Sequence, residues 1–310
     1  MHIPQRRYNI SVMNETQIRL FVAVAETGSF TKAGQMMNMT QPAVSRAISS
    51  LESELGVTLL NRHPRNGVVL TDIGKRIVVT GREILLQYEK ISQEVAAEKG
   101  LETGSIRVGA FPAAASFYYP KIVRAINDKY PNIHIQMYEG TVEEVRHWLD
   151  ELVVDVGFLI PPLNDLDTRL LRNEALHVVF RDDHPFRNFK EIRIQDLSDE
   201  PMLVCKGGYE LPVMELFRAG GANLNVKHIT TNYPTALNMI NEGLGICIMS
   251  ELSLQSVPEH VMSRELTPRA YRKLHLAVPS FKQASIAVRL FVDTAFRLFP
   301  PAAAHPDEQT

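Results

Sequence analysis

Thr40, Gln41, Ala43, Ser45, Arg46 and Ser49 share one face of a short helical segment whose other face is Val44, Ile48, Leu51 and Leu55. The apolar set recurs every three or four residues, the period of a helix with one buried stripe. The polar set consists of short donors and acceptors, one small apolar residue and one arginine. A helix that enters the DNA major groove needs side chains short enough to reach base edges and phosphates, with an arginine for a guanine edge or a phosphate. Taken alone, the same face reads more readily as a solvated helix surface. Its surroundings decide between the two readings.

Those surroundings are two helices before it and a hairpin after it. Asn14 is a good N-cap, with Gln17 three residues on. Ile18, Phe21, Val22 and Ala25 then form one apolar face, and Gly28 ends the helix. Ser29 or Thr31 caps the second helix, where Ala33, Met36 and Met37 are expected to point inward. Asn38-Met39-Thr40 makes a short turn, Thr40 caps the third helix, and Pro42 stands near its first position. Gly56 ends that helix. Residues 61–70 then carry Arg62, His63 and Arg65 around Asn66-Gly67, a strong hairpin turn signal. This is the pattern of a winged helix-turn-helix. Between 31 and 76 the bases are Lys32, Arg46, Arg62, Arg65, Lys75 and Arg76 and the acids Glu52, Glu54 and Asp72. Six against three gives a local charge of +3 in a chain of net charge −2. The patch supplies locally the field that the whole chain lacks.

Thr71 is placed to cap a helix over 71–98, about 40 Å long at 1.5 Å per residue. Ile77, Gly81, Ile84, Tyr88, Ile91 and Val95 fall at alternating spacings of four and three, an a/d seam. Packing on its own domain is one reading. The length favours a partner helix, with Gly81 the weak place in the seam. Gly100 and Gly104 then mark a hinge over 99–105.

Beyond the hinge, short β-rich runs (106–109, 133–138, 153–160 and 202–205) alternate with helical stretches, which predicts βαβ units and a mostly parallel sheet. One helix is expected from Phe111 to near Tyr130. The expected layout is a leader at 1–13, a winged helix-turn-helix at 14–70, a linker helix at 71–98, a hinge at 99–105, an α/β domain at 106–299 and a tail at 300–310. The α/β domain divides into a first lobe, about 106–167 plus 274–299, and a second lobe, about 168–273.

The composition, 45% hydrophobic and 22% charged over 310 residues, is that of a globular chain. No apolar run reaches the roughly 20 residues of a membrane span. No signal core follows Arg6-Arg7, which argues for the cytoplasm. Cys205 and Cys247 have no metal spacing, and the ten histidines form no cluster, so no metal or other cofactor is expected. No nucleophile–base pair, P-loop or dinucleotide fingerprint points to an enzyme.

The segment 20–77 closely resembles the DNA-binding domain of LysR-type transcriptional regulators. The resemblance rests on FVAVAETGSFTKAG at 21–34, TQPAVSRAI at 40–48, LE at 51–52, LGV at 55–57, LNR at 60–62 and LTDIG at 70–74. The two-domain length and the β/α alternation extend it to the whole chain. The leader before Met13 departs from the family pattern. The resemblance implies that Thr31, Thr40, Gln41, Pro42, Ser45, Arg46 and Ser49 face DNA, and that Arg62 and Arg65 meet phosphates. It also implies that the linker helices pair through Ile77, Ile84, Tyr88, Ile91 and Val95, giving homodimers that assemble to a homotetramer. RNA polymerase is a further candidate partner.

The α/β domain resembles a two-lobed, periplasmic-binding-protein-like effector domain. Ligands in such lobes sit at the carboxyl ends of strands, against helix N-termini. That nominates Phe111, Pro112, Ala113, Ala114, Ser116, Thr141, Cys205, Lys206, Asn232, Tyr233 and Gly245. Family members often carry a hydroxyl where Ala113 or Ala114 stands; the apolar loop here favours a partly apolar organic acid over a small inorganic anion. Lys206 is placed either to neutralise such an acid or simply in solvent. The expected function is a transcriptional regulator responding to a small-molecule effector. The alternatives are a cytoplasmic solute-binding protein and a thiol-based redox sensor using Cys205. Cys247 reads as a core residue.

Overall fold

The computed structural model describes residues 13–63, 67–99, 103–163 and 165–300. The chain forms two compact units that divide between Ser92 and Gln93, within a helix and ahead of the Gly100/Gly104 pair.

In the first unit, α1 (Glu15–Thr27) opens on a reciprocal cap: Gln17 N–H donates to Asn14 Oδ1 and Asn14 N–H to Gln17 Oε1, each at 2.9 Å. Gly28, at φ +61°, closes it in the left-handed region. Helix α2 (Phe30–Met36) is capped by Ser29, whose hydroxyl accepts from Lys32 N. Helix α3 (Gln41–Leu55) starts at Thr40, whose side chain makes no cap bond, and ends at Gly56. The turn between α2 and α3 needs Gly34. Met39 N–H donates to Gly34 O at 2.8 Å, and a Cβ on Gly34 would lie 2.6 Å from Met39 O. Strands β1 (Leu60–His63) and β2 (Gly67–Leu70) pair antiparallel in register Leu60↔Leu70. The wing is held from behind by Glu52, whose Oε1 accepts from Leu59 N at 2.7 Å and Leu60 N at 3.0 Å. Leu20, Phe21, Val24, Ala33, Val44, Ile48, Leu51 and Leu59 form the core. Met36, expected inside, is 62% exposed. Its neighbour Met37, the residue that closes α2, packs against the core instead.

Helix α4 (Asp72–Glu98) is capped by Thr71, whose hydroxyl accepts from Gly74 N at 3.0 Å. Its expected seam divides in two. Ile77 and Ile84 are half-buried against the first unit's own core, and Gly81 faces α1, where a Cβ would lie 3.2 Å from Ile18 Cγ2. Gly81 thus marks a close approach rather than a weak place. Tyr88, Ile91 and Val95 are 41%, 59% and 50% exposed. Packing on its own domain accounts for the first half of the seam, because a winged helix is only wide enough to cover the first turns of so long a helix.

The second unit begins β3 (Gly104–Ala110), α5 (Pro112–Phe117), α6 (Tyr119–Asn127), β4 (Ile133–Glu139), α7 (Val142–Asp150), β5 (Val156–Leu159). The single helix expected after Phe111 breaks at Tyr118, because Pro120 opens a new helix and carries no N–H for the old one. The long strand β6 (Asp167–Arg181) follows, then β7 (Met202–Cys205), α8 (Glu210–Gly220), β8 (Val226–Thr230), α9 (Tyr233–Asn241), β9 (Cys247–Ser250), β10 (Val261–Glu265), β11 (Tyr271–Val278) and α10 (Ile286–Leu298).

Strand β3 pairs parallel with β4 and β5, and β7 pairs parallel with β8. The expectation of a mostly parallel sheet fails elsewhere: β6 and β11 pair antiparallel with each other, β11 with β5, and β6 with β9 and β10. The first half of β6 lies on β11 in the first lobe and its second half on β9 and β10 in the second. One strand therefore serves both lobes, and its return strand must run the other way.

Candidate DNA-reading face and effector cleft

Helix α3 holds its polar face outward because Val44, Ile48 and Leu51 anchor the other face. Thr40, Gln41, Pro42, Arg46 and Ser49 are exposed and Ser45 is half-buried; Thr31 is exposed on α2. Arg62, exposed on β1, donates to Ser49 Oγ at 3.3 Å and lies over the Phe30 ring, 4.8 Å from its centroid. It thereby joins α2, α3 and the wing into one surface. Arg65 lies outside the described residues. Two of the three local acids are committed elsewhere. Glu52 holds the wing's backbone, and Glu54 accepts from Gln17 and Ser50. Sequence reasoning counted these acids without seeing that they are engaged.

In the second unit, Phe111 and Pro112 follow the carboxyl end of β3, and Gly140 N–H donates to Ala110 O, which brings Thr141 to the same edge. Thr141 is half-buried, and its own polar atoms are engaged in a capping box. Its hydroxyl accepts from Glu144 N at 3.2 Å and its N–H donates to Glu144 Oε2 at 2.7 Å. The loop after β7 comes against the loop after β3: a Cβ on Gly207 would lie 3.6 Å from Pro112 Cβ and 2.8 Å from Thr231 O. Tyr233 faces Phe117 with ring centroids 5.4 Å apart. Asn232 is spent as the α9 cap, accepting from Thr235 N. Lys206 is exposed with its Nζ 3.7 Å from Glu210. Ser116 is exposed.

Phe111, Pro112, Lys206, Asn232 and Tyr233 are therefore brought together, with Thr141 beside them. Four nominees present no exposed side chain to the cleft: Phe111, Ala113, Ala114 and Cys205 are buried, so Phe111 contributes only its backbone there. Gly245 stands at the opposite end of β7, where its backbone packs on Pro201 O, so the glycine-bounded loop serves strand packing. Burial pushes the Cys205 and Cys247 thiols up, away from the thiolate that a peroxide or disulfide reacts with. The thiol-sensor alternative thus gains nothing from the site.

Beneath the cleft lies a group that sequence reasoning missed. Arg272 on β11 and Glu174 on β6 are cross-strand partners and are fully buried. Arg272 Nε donates to Glu174 Oε2 at 2.8 Å, and Tyr118 Oη donates to Glu174 Oε1 at 2.6 Å. Burial, followed by the facing Glu174 carboxylate, drives the Tyr118 phenol far up, so it stays a donor. Tyr209 Oη pairs with Ser250 Oγ at 3.0 Å and with Ser253 Oγ. The available signal was parity: Arg272 alternates in step with Leu274 and Leu276, and Glu174 with Leu176 and Val178, all buried.

No helix among the described residues is long and apolar enough to cross a membrane. Two family models match the chain. The bacterial regulatory helix-turn-helix protein, lysR family, covers residues 16–75, and the LysR substrate binding domain covers 99–299. The chain is 49% identical over 289 residues to the uncharacterized HTH-type transcriptional regulator YvbU of Bacillus subtilis, covering 93% of this chain and 99% of the relative. In fold it is similar to a cysteine-to-aspartate variant of full-length OxyR from Pseudomonas aeruginosa, at TM-score 0.76 and 22% identity, covering 92% and 95% of the two chains. It is also similar to full-length CbnR solved with its target DNA, at TM-score 0.63 and 22% identity, covering 92% and 99%. The first model falls on the helix-turn-helix unit and the second on the α/β domain, and the chain belongs to the LysR family of transcriptional regulators.

Proposed function

We propose that this regulator reads a duplex operator through the exposed face of α3, with Gln41 and Arg46 carrying most of the discrimination. Thr31, Thr40, Ser45 and Ser49 contact DNA around them, and Arg62 and Arg65 grip phosphates. The observation that carries this is Arg62, braced between Ser49 and the Phe30 ring, which ties β1 of the wing to α2 and α3 with its cation exposed. Pro42, at the start of α3, sets the helix's entry and donates nothing itself. CbnR, similar in fold, is solved with its target DNA.

Two copies pair through the exposed apolar positions Tyr88, Ile91 and Val95 of α4, and two pairs join through their effector domains. The effector is a small, partly apolar organic acid held between the loops after β3 and β7. The Phe117–Tyr233 rings and Pro112 support the apolar part of that reading, and Lys206 its charge. Ligand acts by preferring one arrangement of the lobes, and so one geometry of the assembly on DNA. The protein acts in the cytoplasm, beside the promoters it controls and RNA polymerase.

Selection of genomic fragments by the full chain, followed by footprinting, tests this reading. It predicts one enriched motif with two half-sites and a logarithm of affinity that falls linearly with log salt. Absence of any enriched sequence would refute it.

A further inference from the structure

The buried chain Tyr118–Glu174–Arg272–Gly208 lies outside the roles assigned to DNA reading and effector contact. Its members come from both lobes. Tyr118 closes α5 in the first lobe, Gly208 lies in the loop after β7 in the second, and Glu174 and Arg272 sit opposite each other at the end of the β6–β11 pairing, just before β6 passes to β9 and β10. Arg272 donates through one terminal nitrogen to the Gly208 carbonyl at 2.9 Å. Its guanidinium lies over the Phe111 ring at 5.3 Å and over the Tyr209 ring at 4.2 Å. One side chain therefore grips the loops that form both walls of the cleft. The walls are as close as backbone allows. Gly208 has φ +100°, and a Cβ there would lie 2.5 Å from Phe111 Cε2.

Stability alone does not explain such a group. Burying an ion pair costs both ions their hydration, and apolar replacements of similar volume often do as well or better. What a pair with a single satisfied geometry does supply is selection of one arrangement among several. Here every strong bond is directional. Glu174 takes one donor from the first lobe and the fork of Arg272, and the remaining nitrogen of that fork is spent on a second-lobe carbonyl.

We propose that Arg272, oriented by Glu174, is an interlobe latch that fastens the Phe111 loop to the Gly208 loop and sets the resting closure of the effector cleft. Opening the cleft means withdrawing the Gly208 carbonyl from the guanidinium and uncovering the Phe111 ring in one step. The lobes then have two discrete arrangements rather than a continuum. Arg272 is a positioning residue that holds the walls and is itself shielded from solvent. The proposal goes beyond the cleft's assignment as an effector site, and its test uses no effector.

The test is hydrogen exchange by mass spectrometry on the full chain, comparing peptides from 111–118 and 206–212 with peptides from β3 and β4. The double variant Arg272→Met with Glu174→Gln removes both charges, keeps an acceptor for Tyr118 and leaves the Gly208 carbonyl without its donor. The latch predicts at least tenfold faster exchange in both wall peptides, with β3 and β4 within twofold of the parent. Tyr118→Phe loosens Glu174 at constant volume and predicts a smaller acceleration, about threefold, confined to the same peptides. It decides the matter by the same criterion if the double variant does not fold. Exchange at the parent rate in the walls, or a uniform acceleration through both lobes, would overturn the proposal.

Discussion

Replacing Ile91 by aspartate separates pairing through α4 from packing within one chain. Ile91 is 59% exposed in the single chain, and full burial of an isoleucine side chain is worth about 1.5–3 kcal/mol. Covering the exposed part with a partner helix therefore contributes about 1–2 kcal/mol per chain. In a two-fold pair both copies contribute, which doubles the loss to about 2–4 kcal/mol, or about 30- to 1000-fold in the dissociation constant. The aspartate's desolvation adds to this. Ile84 is the wrong site for the experiment, because it lies half-buried on the first unit's own core and a charge there would unfold that unit as well. Sedimentation equilibrium over a concentration series reads the dissociation constant, with circular dichroism confirming that the variant is folded. An Ile91→Asp protein that pairs as tightly as the parent would refute the reasoning. So would a monomeric parent that still protects a full operator.

Three further outcomes follow from local geometry. Gly34→Ala places a methyl 2.6 Å from Met39 O in the turn before α3, so thermal melts should show a loss of about 1–3 kcal/mol and weaker DNA binding. His275 is held below the ordinary histidine range by burial and then by Lys273, so the unfolded chain takes up its proton first as pH falls. Its contribution to stability is therefore present above about pH 6.5 and lost as pH falls below it; urea titrations from pH 7.5 to 5 should lose part of their slope with pH in His275→Gln, and an unchanged slope would contradict the assignment. Cys205 and Cys247 should resist a thiol reagent at pH 8 until denaturant is added, whereas stoichiometric labelling of the folded chain would restore the thiol-sensor reading.

The first unit was legible because its signals are local. Asn14 with Gln17, Gly28, Ser29, Pro42 and Gly56 each mark an end, and the apolar period between them fixes which face is buried. The long helix was legible in length, but the fate of its seam was not. Spacing places Ile77, Ile84 and Ile91 on one stripe, and only the width of the neighbouring domain decides where cover stops. In the second unit the α/β order could be read, whereas the antiparallel return of β11 could not, because strand direction depends on which lobe the chain re-enters. The cleft was half legible. Helix starts at Phe111, Thr141 and Asn232 announce themselves, yet two of those caps consume the polar atoms that made them attractive. Glu174 and Arg272 lie almost 100 positions apart in the chain, and only pairing of β6 with β11 shows that each is the other's partner.

The most direct test of the central claim is fluorescence anisotropy of the full chain on its footprinted operator, with Gln41→Ala and Arg46→Ala beside the parent. Both side chains are exposed on α3, away from the core, so neither change should alter folding. The account predicts that each variant loses roughly 1–3 kcal/mol of specific binding. Parent-level affinity of both variants for the operator would contradict the assignment of α3 as the reading helix.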